Sequence, residues 1–138
     1  MSVKVTGFDD LLKKLDKLGD KGKVDAIAKK AVDAAKDTVA SSMRSAISAS
    51  EYGARSTGSV AASVVPTVAK VNSYGAYSVA KPNGMHPSGK RNGEVAAYLN
   101  YGSRTMSARP WRAKACSSAE APATKIMEEV LKSEMDLD

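Results

Sequence analysis

Residues Tyr98–Ala115 read YLNYGSRTMSARPWRAKA. The order of parts decides the local fold. A short helix over Glu94–Tyr101 should end at Gly102, which can take the left-handed conformation that closes a helix. Ser103–Arg109 should then run extended. Pro110 suits a first helical position, where a backbone N–H has no helical partner and its loss costs nothing. Trp111, the only tryptophan, falls in the first turn of the next helix, where its ring can fold back over the linker. The turn should bring Arg104, Arg109, Trp111 and Arg112 close together.

Helical periodicity dominates outward from this stretch. Toward the C-terminus, Ile126, Met127, Val130, Leu131 and Met135 share one face of a final helix. Pro122 should kink or restart it, and residues 120–138 form an acidic helical end. Toward the N-terminus, Val24, Ile27, Ala28, Ala31, Val32, Ala35, Val39, Met43 and Ile47 recur at three- and four-residue steps. They predict a helix from about Lys23 to Ser48, on the order of 40 Å long. Its stripe is mostly alanine, so a second element can approach closely. Before it, Phe8, Leu11, Leu12, Leu15 and Leu18 mark a further amphipathic helix between Gly7 and Gly19.

The middle of the chain changes character. Ser50–Ser59 reads as a loop, and Val60–Val64 as a helical turn. Val65–Val71 and Tyr74–Ala80 read as two strands joined near Asn72-Ser73, with Pro66 placing the first at an edge or at its own start. Lys81–Gly93, KPNGMHPSGKRNG, combines turn formers and three basic residues with almost nothing apolar. It is expected to be a long mobile loop. The fold class is therefore α+β in one domain, 1–138: N-terminal helices including one long Ala-rich helix, a small antiparallel hairpin, and a C-terminal helix.

At 138 residues with 5% aromatics, the chain supports one thin core of Ala, Val, Leu, Ile and Met. No stretch has eighteen consecutive apolar residues, so no membrane span is expected. A secretion signal is not indicated either. Cys116 is the single cysteine, excluding an internal disulfide, and reads as a small buried or half-buried thiol. Charge is uneven. Met1–Glu51 holds ten basic and eight acidic residues, Tyr52–Ala119 nine and one, and Glu120–Asp138 two and six. A positive middle and a negative end can attract each other within or between subunits, and a basic middle can also face DNA.

Catalytic patterns are missing from the sequence. His86, the only histidine, lies in a Gly/Pro loop without a neighbouring cysteine or carboxylate, which argues against a metal site or a nucleophile relay. There is no phosphate-binding or dinucleotide-binding glycine loop. The carboxylates, Asp9-Asp10 and Glu128-Glu129 among them, fall on solvated helix faces. A non-enzymatic protein without a cofactor is expected.

The Tyr101-Gly102 turn followed by Ala108-Arg109-Pro110-Trp111 resembles the tail-component family of long-tailed bacteriophages, typified by gene product ten of the Hong Kong ninety-seven phage. The resemblance takes in the Val3–Leu15 opening, the long helix, Thr57-Gly58, the weakly hydrophobic β region and the final helix. It departs from the family at Asn100, where an acidic residue is often seen near the turn, and at Pro122. It implies a structural virion protein of a tailed phage or prophage, placed at the head–tail junction as a neck or tail-completion ring. Its partners would be copies of itself, a hexamer being the expected count, with adjacent head-connector and tail-terminator or tail-tube proteins. DNA in the channel would be a non-specific contact. Assembly would take place in the cytoplasm of the bacterial host. Candidate interface residues are Tyr101, Gly102, Arg104, Arg109, Pro110, Trp111 and Arg112, with Lys81, Lys90 and Arg91 from the basic loop. The competing reading is a small basic nucleic-acid-binding protein, because arginines interleaved with Tyr101 and Trp111 also suit that role.

Overall fold

The computed structural model describes residues 21–51 and 57–134. The helix expected over Phe8–Leu18 lies outside them. Helix α1, Lys21–Ser50, is 30 residues long, or about 45 Å at 1.5 Å per residue. Helix α4, Arg112–Glu134, runs back along it. The antiparallel pairing is visible in the core. Val24, Ile27, Ala31 and Ala35 of α1 meet Ala123, Met127 and Leu131 of α4 at one end. Ala40, Met43 and Ile47 meet Ala115 and Ala119 at the other. The buried positions of α4, Ala115, Ala119, Ala123, Met127 and Leu131, repeat every four residues. This row of small side chains forms a shallow ridge that brings the two axes close together.

Pro122 does not interrupt α4, contrary to the sequence expectation. It sits on the exposed side, so the carbonyl its missing N–H leaves free faces water, not the core.

Between the two long helices lie a short helix α2, Ser59–Ala62, a hairpin and helix α3, Asn92–Tyr101. The Glu51 side chain accepts the Ala61 N–H at 2.9 Å and so caps α2 from the end of α1. The hairpin has four short strands, β1 Val64–Pro66, β2 Lys70–Asn72, β3 Gly75–Tyr77 and β4 Ala80–Pro82. β1 pairs antiparallel with β4, and β2 with β3. The turn forms where the sequence places it, with the Asn72 carboxamide accepting the Tyr74 N–H at 2.8 Å.

The two expected strands are split by a bulge. Thr67 N–H donates to Val79 O at 2.9 Å, and the next ladder pair is Lys70 with Tyr77. Val68 and Ala69 therefore oppose Ser78 alone. The Thr67 hydroxyl accepts the Val79 N–H at 3.0 Å, and Ser78 Oγ donates to Thr67 O at 2.7 Å. One extra residue reverses the inside–outside alternation of the strand. Val64 is buried before the bulge and Ala69 after it, while Val68 swings out to solvent. Arg44 holds β1 on α1, its Nε and Nη2 donating to the Val64 carbonyl at 3.0 and 2.8 Å.

Candidate functional site

The segment 98–115 forms a joint between α3 and α4. At the end of α3 the Gly102 N–H donates to Tyr98 O at 2.8 Å. Gly102 has φ 83° and ψ 172°. The positive φ was expected, but the extended ψ differs from a left-handed cap and belongs to a region essentially reserved for glycine. The chain turns back so tightly that a Cβ here would lie 2.8 Å from Ala108 N and 3.1 Å from Met106 O.

The linker is not simply extended. Ser103 and Met106 bridge each other around a tight turn that leaves Arg104 exposed. Arg109 N–H then donates to Leu99 O at 2.7 Å. The Arg109 guanidinium turns inward, and its Nη1 donates to the Ser50 carbonyl at 3.1 Å. Ser50 is the last residue of α1, so Arg109 caps that helix where a cation also suits the negative end of its dipole.

Trp111 is 1% exposed. Its indole Nε1 donates to Ala96 O at 2.8 Å, and it shares the core cluster with Met43, Ile47, Val60, Leu99 and Ala115. The ring expected to fold back over the linker packs on the helix before it, α3, through Ala96 and Leu99. The start of α4 differs. Helix α4 begins at Arg112, and the Trp111 carbonyl accepts the Ala115 N–H, so Trp111 is the N-cap and Pro110 precedes it. Asn100, 8% exposed, supplies the cap the backbone lacks, its Oδ1 accepting the Arg112 N–H at 3.0 Å. Sequence reasoning noted Asn100 only as a departure from an acidic residue. The clue was present, because a short carboxamide ahead of a helix start is a ready acceptor for an orphan N–H.

The segment expected to be a long mobile loop has a defined hydrogen-bonded form. Lys81 and Pro82 belong to β4. His86 N–H donates to Lys90 O at 2.7 Å, Gly89 N–H to His86 O at 2.9 Å, and Asn92 N–H to Gly84 O at 3.0 Å. His86 Nδ1 accepts the Ser88 N–H at 3.1 Å, and the imidazole acts as a local turn brace. Asn92 is buried and its carboxamide donates to Asn83 O at 2.8 Å. The turns that composition read as freedom are fixed by side chains bonding to nearby backbone.

The candidate residues therefore divide. Gly102, Arg109 and Trp111 serve the joint, and Arg112 lends it a backbone N–H. Tyr101, Arg104, Pro110, Lys81, Lys90 and Arg91 lie on the surface. Lys90 Nζ stands 4.7 Å from the centre of the Tyr98 ring. Tyr98 and Tyr101 are adjacent on the exposed face of α3.

The charges divide in the same way. Ion pairs among the described residues are Lys30–Glu134, between the start of α1 and the end of α4, and Lys36–Asp33 within α1. The hydrogen bond with Asp33, aided by that carboxylate's charge and by Asp37, raises the Lys36 pKa. The acidic end of α4 thus meets a lysine of α1 in the same chain. Thr57–Ala119 holds eight basic residues against Glu94 alone, and neither ion pair reaches it. Among the described residues, no group of three or more His, Cys, Asp or Glu side chains could hold a metal ion. No helix among them is long and apolar enough to cross a membrane. Compared with protein families, curated proteins and solved structures, the chain matches no family model, no curated protein and no solved structure.

Proposed function

We propose that this chain is a structural, non-enzymatic subunit of a tailed phage or prophage particle. It works as one member of a closed ring at the head–tail junction, in the neck or tail-completion position. Its partners are copies of itself, in a hexamer, and the head-connector and tail-terminator or tail-tube proteins above and below. DNA passes through the ring as a non-specific contact. The subunit is assembled in the bacterial cytoplasm and carried in the virion.

The hairpin is the observation that carries this reading. Each of its strands has one strand partner among the described residues; Arg44 closes the outer edge of β1 at the Val64 carbonyl, and β2 and β3 have no second strand beside them. Val68 is 68% and Tyr74 95% exposed, and Val65 and Tyr77 stand out beside them. A two-stranded ribbon is marginal alone, and exposed apolar strands invite pairing with another chain. A ring needs a head-to-tail contact that closes on rotation, and a ribbon that lies along α1 with apolar side chains in water suits that contact. The sequence resemblance supplies the biological setting.

Mass photometry across protein concentration, with negative-stain imaging, tests the reading. A single closed ring species should appear. Replacing Val68, Tyr74 and Tyr77 together by Ser should abolish it while leaving the urea midpoint unchanged at a dilution where the wild type is monomeric. A chain that stays monomeric up to millimolar concentration, with hairpin amide exchange independent of concentration, refutes it.

A further inference from the structure

The geometry points to a second role for the segment between α1 and α4: a sequence-independent binding surface for the phosphate backbone of duplex DNA. This deepens the assembly reading by naming the surface that meets DNA. It rests on that reading for its setting, though not for its chemistry.

The cations available to it are Lys70, Lys81, Lys90, Arg91, Arg104 and Lys114, all exposed; Lys90, Arg91 and Arg104 stand around α3, Lys90 over its Tyr98 ring and Arg91 and Arg104 beyond its two ends. They come from β2, β4, the 83–91 turn, the 103–106 turn and the first turn of α4. None is in an ion pair among the described residues; the two found lie on α1 and α4 outside this region. Uncompensated like charge repels itself, so its accumulation on one part of a subunit favours an anionic partner.

Two features favour a nucleic-acid backbone over an acidic protein. The cations are spread over five elements, which suits a repeating polyanion better than one recessed carboxylate. Four of the six are lysines, a residue depleted in protein–protein interfaces but a common phosphate contact. The spacing also fits. Arg91 caps the start of α3 and Arg104 follows its end. Ten helical residues separate them by roughly 15 Å, four or five base-pair steps at 3.4 Å along one strand. They can therefore reach different phosphates. Glu94, the one acid here, lies on α3 between them.

Fluorescence anisotropy with a labelled 30-base-pair duplex of arbitrary sequence tests the proposal, with the oligomeric state recorded in the same samples. Wild-type affinity should fall with salt with a log–log slope of about −5, from six phosphate contacts at about −0.9 each. Arg91→Gln with Arg104→Gln should reduce that slope by about 2 and weaken binding about 60-fold at 0.1 M salt, from two lost counterion-release contacts. Glu94→Gln should tighten binding. Lys125→Gln with Lys132→Gln removes the same charge from α4 and should change affinity less than 3-fold, because that charge lies outside the surface. The proposal is overturned by no binding at 50 mM salt, by an unchanged slope in the Arg91/Arg104 variant, or by equal loss in the α4 control. It is also overturned if the Arg91/Arg104 variant binds DNA normally but fails to assemble, since the surface is then a protein interface. Rings that fail to form while monomers bind DNA as described would refute the assembly reading and leave this one standing.

Discussion

Removing the Trp111 ring should cost more than any other single truncation in this chain. The indole is 1% exposed, and an aromatic of this size buries on the order of 200 Å². At about 25 cal/mol per Å² the transfer contribution is about 5 kcal/mol. Trp111→Ala also leaves a cavity among Met43, Ile47, Val60 and Leu99, partly relieved by collapse, which places the expected loss at about 3–5 kcal/mol. The lost indole N–H bond to Ala96 O adds little, because that carbonyl is also in a helix. A domain of this size has roughly 5–15 kcal/mol in all, so the variant should be barely folded at 37 °C. Trp111→Phe keeps most of the apolar ring and leaves a smaller cavity, so about 1–2 kcal/mol is expected. Urea unfolding followed by far-UV circular dichroism, which needs no tryptophan, gives both values. If Trp111→Ala costs less than about 1 kcal/mol, the ring does not hold α3 to α4. If Trp111→Phe costs as much as Trp111→Ala, the hydrogen bond and not packing dominates.

Two further substitutions probe the same joint. Arg109→Ala should destabilise by about 1–2 kcal/mol in urea unfolding, because its guanidinium bonds the Ser50 carbonyl. A cost under about 0.3 kcal/mol would return Arg109 to a purely surface role. Gly102→Ala should lose about 3 kcal/mol, from backbone strain at φ 83° and a Cβ placed 2.8 Å from Ala108 N. A wild-type melting temperature for that variant would contradict the tight turn.

Helical repeats were the most legible part of the sequence. The α1 stripe from Val24 to Ile47 reads directly because a 3.6-residue period is a property of one segment alone. The hairpin turn reads from Asn72 for a similar reason, since its carboxamide acts two residues away. Features that need a partner distant in sequence did not read. The bulge at Val68-Ala69 depends on the opposite strand, and only there does its reversal of alternation become visible. Arg109 reads from the sequence as an interface residue, yet its guanidinium donates to the carbonyl of Ser50, 59 residues earlier. No spacing rule links those two positions. The 83–91 segment is a different case. Its Pro, Gly and Asn content signals turns, but whether turns are mobile or braced depends on bonds such as His86 N–H to Lys90 O.

The division between inside and outside bears on what the sequence motif means. Ala108-Arg109-Pro110-Trp111 first looks like a recognition surface, since Arg and Trp are common in binding hot spots. In the folded chain Trp111 fills the core and Arg109 caps α1. These residues therefore set the geometry of a joint, the angle at which α3 leaves α4, and do not by themselves form a contact surface. Function has to be read from what stands beside the joint: a ribbon with exposed Val68 and Tyr74 and exposed cations, Lys81, Lys90, Arg91 and Arg104, that form no ion pair among the described residues. The core strengthens that argument. It is built largely from alanines at Ala31, Ala35, Ala115, Ala119 and Ala123, each contributing about one methyl group of apolar burial. A subunit with so thin an interior that leaves Val68 and Tyr74 in water gains stability when a neighbour covers them. Association and folding should then be coupled through the ribbon, while variants of the joint act on folding and variants of the cations act on binding.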